Sequence, residues 1–289
     1  MLQKRLTRSR LVGLTFAGAA IAIAALLSSC SPIAPKRAAA PVQQPPHRER
    51  DGAVARVRET QKPKAVATEP GATTPGQAAS HPRRRYAGYP GEITHTSSKT
   101  QVALTFDAGA SPAPCPSILK TLRENGLHVT FFLTGKWCEQ NPELVKQIAA
   151  EGHEIGNHTY SHPDLRKVSD DVIVEQLGKT EELVQNLTGQ STKPYFRPPF
   201  GGRDKRVLGV AGEQGYTSVY WSVDCLDAFK KGITSEQIEK RVLDRIQGGD
   251  IVLMHCGSEP TAEALPDLIA KLKERGFEIV KVSELVGAP

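Results

Sequence analysis

The sequence lacks several of the patterns by which function classes are recognised. It has no Cys-x-x-Cys pair, which excludes a zinc knuckle of the usual spacing, and no Gly-x-Gly-x-x-Gly turn, which argues against a dinucleotide-binding sheet. Its longest apolar run, LVGLTFAGAAIAIAALL, has 17 residues, and a membrane helix needs about 20. What remains is a chain of 289 residues, long enough for one large domain or two small ones.

Positive charge is scarce in the C-terminal two thirds of the chain. Residues 88–289 hold 22 Lys and Arg against 27 Asp and Glu, whereas residues 31–87 hold 11 against four. The formal net charge of +6 therefore belongs to the N-terminal third, and a nucleic-acid-binding function loses its main support. The basic segment contacts anionic lipid head groups or an acidic cell wall, or it is only a solvated linker.

Residues 1–30 indicate an export signal. A basic start is followed by the apolar run and by Leu-Ser-Ser-Cys, which ends at Cys30. This ending resembles the bacterial lipoprotein signal, in which the cysteine is lipidated and becomes the first residue of the mature chain. The resemblance implies an extracytoplasmic protein anchored to a membrane of the cell envelope, with the inner and the outer membrane both open. An uncleaved membrane anchor is the alternative.

Residues 31–87 are rich in Pro, Ala, Gln, Thr and Arg and show no hydrophobic periodicity. Such a segment buries too little apolar surface to offset the entropy lost on ordering. We therefore expect a disordered tether over residues 31–87 and one folded catalytic domain over residues 88–289. The sequence gives no sign of assembly, and we expect a monomer.

Strand-like and helix-like segments alternate from residue 88 onwards. The strand-like runs are Val102–Phe106, Val129–Leu133, His153–Gly156, Tyr195–Arg197, Thr217–Val223, Ile251–His255 and Phe277–Val280. The helix-like stretches are Pro116–Asn125, Pro142–Glu151, Asp170–Thr188, Lys205–Gln214, Ser235–Gln247 and Thr261–Arg275. This alternation predicts a parallel α/β fold. Seven strands without a phosphate-binding turn favour an irregular (β/α)7 barrel over a doubly wound sheet.

Polar residues follow directly after five of the strand-like runs. They are Asp107, Asn157 with His158, Arg197, Asp224 with Asp227, and His255. In a barrel of βα units these strand ends share one rim, where catalytic groups converge, so we expect these side chains to face one pocket. His158 and His162 are four residues apart, so on a helix or a tight turn both imidazoles face one ion, which favours a metal pair over two structural histidines.

Five motifs, in this order, resemble the polysaccharide deacetylases with a NodB homology domain, carbohydrate esterase family 4. The resemblance covers about residues 98–286. The motifs are Thr-Phe-Asp-Ala-Gly at 105–109, His-Thr-Tyr-Ser-His at 158–162, Arg-Pro-Pro-Phe-Gly at 197–201, Asp-Cys-Leu-Asp-Ala at 224–228 and Leu-Met-His at 253–255. The family's fold is an irregular (β/α)7 barrel, and its reaction is metal-assisted hydrolysis of N-acetyl groups on β-linked amino-sugar polymers.

The resemblance implies a role for each matching residue. The implied roles are Asp107 as general base, His255 as general acid, Arg197 and Asp227 as their supports, His158 and His162 as ligands of a divalent ion, zinc or cobalt, and Phe200 with Gly201 as an oxyanion and substrate-binding turn. Structural roles stay open beside these: a helix cap for Asp107, an ion pair at the barrel mouth for Arg197 and a core histidine for His255. For Asp224, a role in bracing its loop is as consistent with the sequence as a role in the reaction.

Two positions depart from the family's motifs. Ala108 stands where the family has a metal-binding aspartate, so we expect a weakened metal site. Ala228 stands where the family has tryptophan, so one pocket wall is smaller or is filled from elsewhere, by Trp137 or Phe229. Both departures bear on the reaction rate and on the metal, while the base, the acid and the histidine pair are present.

Four cysteines remain once Cys30 is assigned to lipid. An even number in an exported chain permits disulfides. The order of the strands suggests the pairs Cys115–Cys138 and Cys225–Cys256, and four free buried thiols are the alternative.

The predicted function is an enzyme, a hydrolase that cleaves the amide C–N bond of N-acetylglucosamine units. A lipid-anchored enzyme on a tether meets peptidoglycan first, so cell-wall peptidoglycan is the expected substrate, followed by chitin-like oligomers or exopolysaccharide. Two alternatives stay open. One is a glycan-binding pseudoenzyme that has lost turnover through Ala108, and the other is an esterase acting on O-acetyl-xylan.

Overall fold

The structure, a computed structural model, describes residues 88–287. The predicted export signal, the lipidated Cys30 and the tether lie outside these residues and stay predictions. Within the described part of the chain, no helix has the length and apolar character needed to cross a membrane.

The described residues form eight strands and eight α-helices. The strands are β1 Gln101–Ala108, β2 Thr130–Leu133, β3 Glu154–Asn157, β4 Tyr195–Phe196, β5 Thr217–Ser218, β6 Val223–Asp224, β7 Ile251–His255 and β8 Glu278–Ile279. The helices are α1 Cys115–Glu124, α2 Gly135–Gln140, α3 Pro142–Ala150, α4 Asp170–Thr188, α5 Lys205–Glu213, α6 Ser235–Leu243, α7 Glu259–Glu274 and α8 Val282–Val286. All six predicted helices are confirmed to within a few residues, whereas the short helices α2 and α8 were not predicted.

The strands form one curled parallel sheet, in the order β5-β4-β3-β2-β1-β7-β6, with β8 paired to the start of β1. Every strand pair is parallel. This is the predicted irregular α/β barrel, open between β5 and β6. The register aligns Asp107 on β1 with His255 on β7, so the strand ends that carry the predicted base and acid are neighbours.

Strand β1 shows how the sequence divides the inside of the barrel from its outside. All but one of its eight residues are buried, as expected for a central strand with both faces covered. Leu104, Phe106 and Ala108 belong to the apolar cluster that the helices cover. Because side chains alternate along a strand, Thr105 and Asp107 face the barrel interior, where both bond Arg197.

The predicted strand Thr217–Val223 is wrong as a single element, because it is two short strands at opposite edges of the sheet. Between them, the rings of Tyr220 and Trp221 stack on each other, with centroids 3.9 Å apart and planes 12° from parallel. Successive side chains of a strand point to opposite faces, so two neighbouring residues can stack only where the strand breaks. The break separates β5 from β6 and brings Trp221 to the barrel mouth.

Candidate active site

A cavity of about 490 Å³ opens at the carboxyl ends of the strands. Seven of the predicted site residues line it: Asp107, His158, His162, Phe200, Gly201, Asp227 and His255. Arg197 lies behind this wall and is fully buried. Cys30, the predicted lipidation site, lies outside the described residues. The structure therefore brings together every predicted residue of the reaction centre, and leaves their roles as predictions.

Asp107 is held from behind by Arg197. Its Oδ1 accepts a hydrogen bond of 2.7 Å from Nη1 of Arg197, and only 6% of the residue is exposed. Burial opposes ionisation of this carboxyl, but the Arg197 guanidinium and nearby imidazoles outweigh it and lower the pKa of Asp107. Asp107 is therefore a carboxylate near neutral pH, able to accept a proton.

Arg197 also bonds the segment that connects β5 to β6. Its Nε and Nη2 donate to the carbonyl oxygens of Val219 and Tyr220, at 3.1 and 3.2 Å. Its guanidinium carbon lies 4.1 Å from the centroid of the Phe132 ring. A buried charge with this many partners is satisfied, so Arg197 ties the segment between β5 and β6 to β1 while it orients Asp107.

His158 and His162 stand on a loop after β3, not on a helix. Their Nε2 atoms are 3.2 Å apart, and Nε2 of His158 is 3.5 Å from Oδ2 of Asp107. Thr159 and His162 have positive φ, of 65° and 60°, a conformation that turns both rings into the cavity. The loop is tied down because Asn157 Oδ1 accepts from Thr159 N–H at 2.9 Å.

The histidine pair fits a metal ion as two neutral ligands. Nδ1 of His158 lies 2.8 Å from the carbonyl oxygen of Arg197, which can only accept, so the ring proton is on Nδ1 and Nε2 presents its lone pair. Burial lowers the pKa of both rings, and with the nearby His158 it brings that of His162 to about 4. Two nitrogens 3.2 Å apart can both reach a zinc ion, which binds nitrogen at about 2.0–2.1 Å.

A third protein ligand is not part of this group. Among residues 88–287, no cluster of three or more His, Cys, Asp or Glu side chains has the arrangement of a metal site. Ala108, at the position of the family's aspartate, is 1% exposed and packs in the apolar cluster outside the barrel. The groups near a possible ion are therefore the two imidazoles and the Asp107 carboxylate, 3.5 Å from Nε2 of His158, and the weakened site expected from Ala108 stays a prediction.

His255 is held from behind by Asp227. Asp227 Oδ1 is 2.7 Å from Nδ1 of the imidazole, and its Oδ2 accepts from the backbone N–H of His255 at 2.8 Å. Thr261 donates a further bond of 2.7 Å to Oδ2. Burial favours the neutral ring, but Asp227 outweighs it and raises the pKa of His255. The proton on Nδ1 is fixed by Asp227, so a protonated ring carries its second proton on Nε2.

The turn Pro199–Gly201 carries the predicted oxyanion donor. Phe200 has a φ of 57° and Gly201 one of 64°. A Cβ on Gly201 would approach the Tyr220 hydroxyl to 2.7 Å, so the turn lies directly against the Tyr220–Trp221 stack. Glycine is needed here both for its backbone conformation and for this close contact.

The support behind this turn comes from two residues that no sequence motif singled out. The guanidinium carbon of Arg203 lies 3.4 Å from the Tyr220 ring centroid, and its Nη1 donates to the Gly201 carbonyl at 3.3 Å. Nε and Nη2 both bond the Glu92 carboxylate, at 2.5 and 2.8 Å. Glu92 precedes the barrel and matches none of the five motifs, so no sequence signal connected it with the site.

Three residues considered for the pocket point elsewhere. Asn157 donates to the Leu177 carbonyl on α4, so the expectation that it faces the cavity is wrong. Asp224 accepts from Leu226 N–H at 2.7 Å, which is the loop-bracing role. Trp137 is 1% exposed in the apolar core and does not fill the wall left by Ala228. Phe229 and Trp221 line the cavity instead.

The suggested disulfide pairs are absent from the structure, where all four described cysteines are free and buried. Strand β6 aligns Asp224 with Leu253, so Cys225 lies out of register with Cys256. The Cys256 thiol lies close to that of Cys115, and the Cys225 thiol lies close to the Asp227 carboxylate. The alternative of four free thiols describes this arrangement.

Comparisons with known proteins agree with this geometry. A family model described as polysaccharide deacetylase matches residues 94–219. The peptidoglycan-N-acetylglucosamine deacetylase of Bacillus cereus is 40% identical over 192 residues, which cover 65% of this chain and 69% of that protein. The chain belongs to the polysaccharide deacetylase family. The predicted enzyme class, a hydrolase of this family, is confirmed at that level.

Two further relatives of this polysaccharide deacetylase bear on its activity. The peptidoglycan-N-acetylmuramic acid deacetylase PdaA of Bacillus subtilis is 36% identical, over 67% of this chain and 74% of that protein. The structure of a carbohydrate esterase family 4 pseudoenzyme from Bacillus anthracis matches with a TM-score of 0.65 and 34% identity, over 68% of this chain and 69% of that chain. A mutant of that pseudoenzyme with restored enzymatic activity matches with a TM-score of 0.65, 35% identity and coverage of 68% and 72%.

Proposed function

We propose that this chain removes N-acetyl groups from amino sugars of a β-linked polymer, with cell-wall peptidoglycan as the substrate. One observation carries the proposal: an ionised carboxylate held by Arg197 and an imidazole held by Asp227 face the same cavity as a pair of neutral histidines. Amide hydrolysis needs a proton acceptor for water, a proton donor for the departing nitrogen and stabilisation of the developing oxyanion. The cavity holds a candidate for each.

The base and the acid follow from the two supported side chains. Asp107 takes the proton from the attacking water, because its lowered pKa keeps it ionised near neutral pH. His255 donates the proton on Nε2 to the departing amine, because Asp227 keeps it protonated into the neutral range. A group of this kind contributes about 10² to 10⁴ in rate.

The remaining groups bind and stabilise. A divalent ion held by His158 and His162, zinc or cobalt, would polarise the amide carbonyl and the water. The N–H of Phe200, on a turn packed against Tyr220, is the candidate donor to the oxyanion. Trp221 and Leu253 give the cavity an apolar wall, which suits the acetyl methyl group.

Peptidoglycan is preferred for two reasons. The relatives from Bacillus cereus and Bacillus subtilis are named as deacetylases of peptidoglycan amino sugars. A chain lipidated at Cys30 and tethered outside the membrane would meet this polymer first. Anchoring is part of the proposal, and loss of membrane association and of lipid labelling in Cys30→Ser would test it. Chitin-like oligomers, exopolysaccharide and O-acetyl-xylan are the other substrates that the same groups could serve.

A second candidate function is glycan binding without turnover. Ala108 removes one anionic metal ligand by the family's pattern, and a pseudoenzyme is among the solved relatives. Against it, Asp107, His255 and both of their supports are present and bonded to each other in pairs. We therefore rank the active enzyme first.

The deciding experiment is acetate release by the full chain from N-acetylated peptidoglycan and from chitooligosaccharides. We expect release that stops after chelation and returns with zinc or cobalt, and that falls by about 10² or more in His255→Ala. His128→Ala, an exposed histidine outside the cavity lining, is the matched control. Ala108→Asp puts a carboxylate at the position of the family's ligand. Because Ala108 packs in the apolar cluster, the end of β1 must turn for this carboxylate to reach the ion, and higher release at low zinc would show that it does. Glycan binding with no acetate from either protein would favour the pseudoenzyme.

A further inference from the structure

Exposed apolar side chains are rare on this surface, and two of them stand at the cavity mouth. Among residues 88–287, the exposed large hydrophobic residues are Val174, Phe200 and Phe229, the two phenylalanines being 63% exposed. Both phenylalanines line the cavity, whereas Val174 lies on α4. Apolar rings left in water beside a binding cavity indicate a ligand that covers them.

Each ring stands beside one of the histidines of the reaction centre. The Phe200 ring centroid is 4.5 Å from that of His162, with the planes at 74°. The Phe229 ring centroid is 6.5 Å from that of His255, with the planes at 84°. One ring therefore lies beside the proposed metal-binding pair, and the other lies beside the proposed proton donor.

The backbone that carries each ring is held in a defined turn. Phe200 occupies the positive-φ turn that packs against Tyr220. Phe229 lies in a tight turn in which its N–H and that of Lys230 both bond the Leu226 carbonyl, at 3.2 and 3.0 Å. Rings on anchored turns lose little freedom when a ligand covers them, so their contact contributes to affinity with a small entropic cost.

The ligand chemistry follows from the shape of a β-linked sugar chain. Each pyranose ring presents a flat face of C–H groups and a rim of hydroxyls, and an aromatic ring packs against such a face. We propose that Phe200 and Phe229 are stacking platforms for the sugars on either side of the one whose acetamide enters the cavity. The chain would then bind internal residues of a glycan and need an oligomer of at least three sugars. This inference rests on the proposed function.

The test is binding to the chelated full chain, which does not depend on turnover. The probes are N-acetyl-chitooligosaccharides of one to five residues, and the signal is the fluorescence of Trp221. The only other tryptophan, Trp137, is buried in the core. We expect affinity to rise steeply up to three or four sugars, and Phe229→Ala and Phe229→Leu each to lose about tenfold for the tetramer with little change for the monomer.

The controls separate this inference from the proposed function. Val174→Ala, an exposed apolar residue away from the cavity, should bind like wild type, and Phe200→Leu should repeat the length-dependent loss. Equal affinity for monomer and tetramer, or wild-type binding by both Phe229 variants, would overturn the platforms. If wild type still releases acetate in that case, the proposed function stands. A wild-type chain that neither binds nor deacetylates any amino-sugar oligomer would overturn both.

Discussion

At the scale of single residues, Asp227 determines the proton state of His255. Its two oxygens bond the imidazole and the backbone of the same residue, and Thr261 holds the carboxylate in place. The pKa of His255 rises because the protonated ring gains this partner although burial opposes it. Asp227 is therefore the main side chain that sets the pH at which the acid loses its proton, with smaller contributions from Asp107 and Asp224.

Because Asp227 raises the pKa of His255, we predict a shifted pH profile for Asp227→Asn. The raised pKa keeps His255 protonated above its usual titration range, near pH 6.5, so the alkaline limb of kcat lies above that pH in wild type. An amide in place of the carboxylate lowers the pKa, so we expect the limb to move to lower pH and kcat at pH 7.5 to fall by about tenfold or more. The measurement is kcat for acetate release from pH 5 to 9.

Asp224→Asn is the control for the direct bond, because Asp224 ends β6, bonds Leu226 and raises the pKa of His255 only through its charge. Its limb should move less than that of Asp227→Asn. An unchanged limb in Asp227→Asn would mean that another group sets the pKa of the proton donor.

At the scale of elements, the helices and most strands could be predicted because their signals are local. Helix α4 has the predicted bounds Asp170–Thr188 and ends at Gly189 with a φ of 74°. The run Thr217–Val223 was wrongly predicted as one strand. It breaks at the Tyr220–Trp221 stack, which packs against Gly201 and Arg203 from other parts of the chain. Glu92 was missed for the same reason, since its partner is 111 residues away.

The contacts of Arg203 with Tyr220 and Glu92 predict that Arg203 acts as a positioning residue for the turn Pro199–Gly201. Arg203→Lys keeps the charge but loses the flat contact with Tyr220 and the paired bonds to Glu92. If the Phe200 N–H stabilises the oxyanion, its displacement affects the transition state more than substrate binding. We expect kcat to fall about tenfold while KM changes less than threefold, measured by steady-state acetate release.

Arg206→Lys is the control, because this arginine lies on α5 and pairs with the exposed Asp170. It should leave both constants unchanged. A change in KM alone in Arg203→Lys, or a lower Tm with normal kinetics, would contradict the positioning role.

At the scale of the whole molecule, the site could be predicted from motif order because parallel strands end at one rim. Asp107, His158 and His255 meet there although 148 positions separate the first from the last. The inward or outward direction of each side chain could not be predicted so well. Asn157, like His158, is a polar residue directly after a strand-like run. Its side chain nevertheless turns to α4, because only one of two neighbouring residues can face the barrel mouth.

The free energy of unfolding of the folded part should depend on pH through His153, which directly precedes β3 and belongs to none of the five motifs. His153 is 2% exposed, and its Nδ1 accepts from Val129 N–H at 3.2 Å. Its Nε2 has no hydrogen-bond partner among the described residues. Burial, only partly offset by Glu151, lowers the pKa of His153 to about 4. The folded protein therefore holds this ring neutral at pH values where the unfolded chain protonates it.

The sign of the effect follows from proton binding. Between about pH 6.5 and pH 4 the unfolded chain binds more protons at His153 than the folded protein does, so the free energy of unfolding falls as the pH falls. One such group contributes at most about 1.4 kcal/mol per pH unit. His153→Asn keeps an acceptor for Val129 N–H but cannot titrate, so we expect a flatter dependence even if the variant is less stable throughout. Urea unfolding from pH 4 to pH 7 measures the slope, with exposed His95→Asn as the control. A wild-type slope in His153→Asn would assign the acid sensitivity to the histidines of the cavity instead.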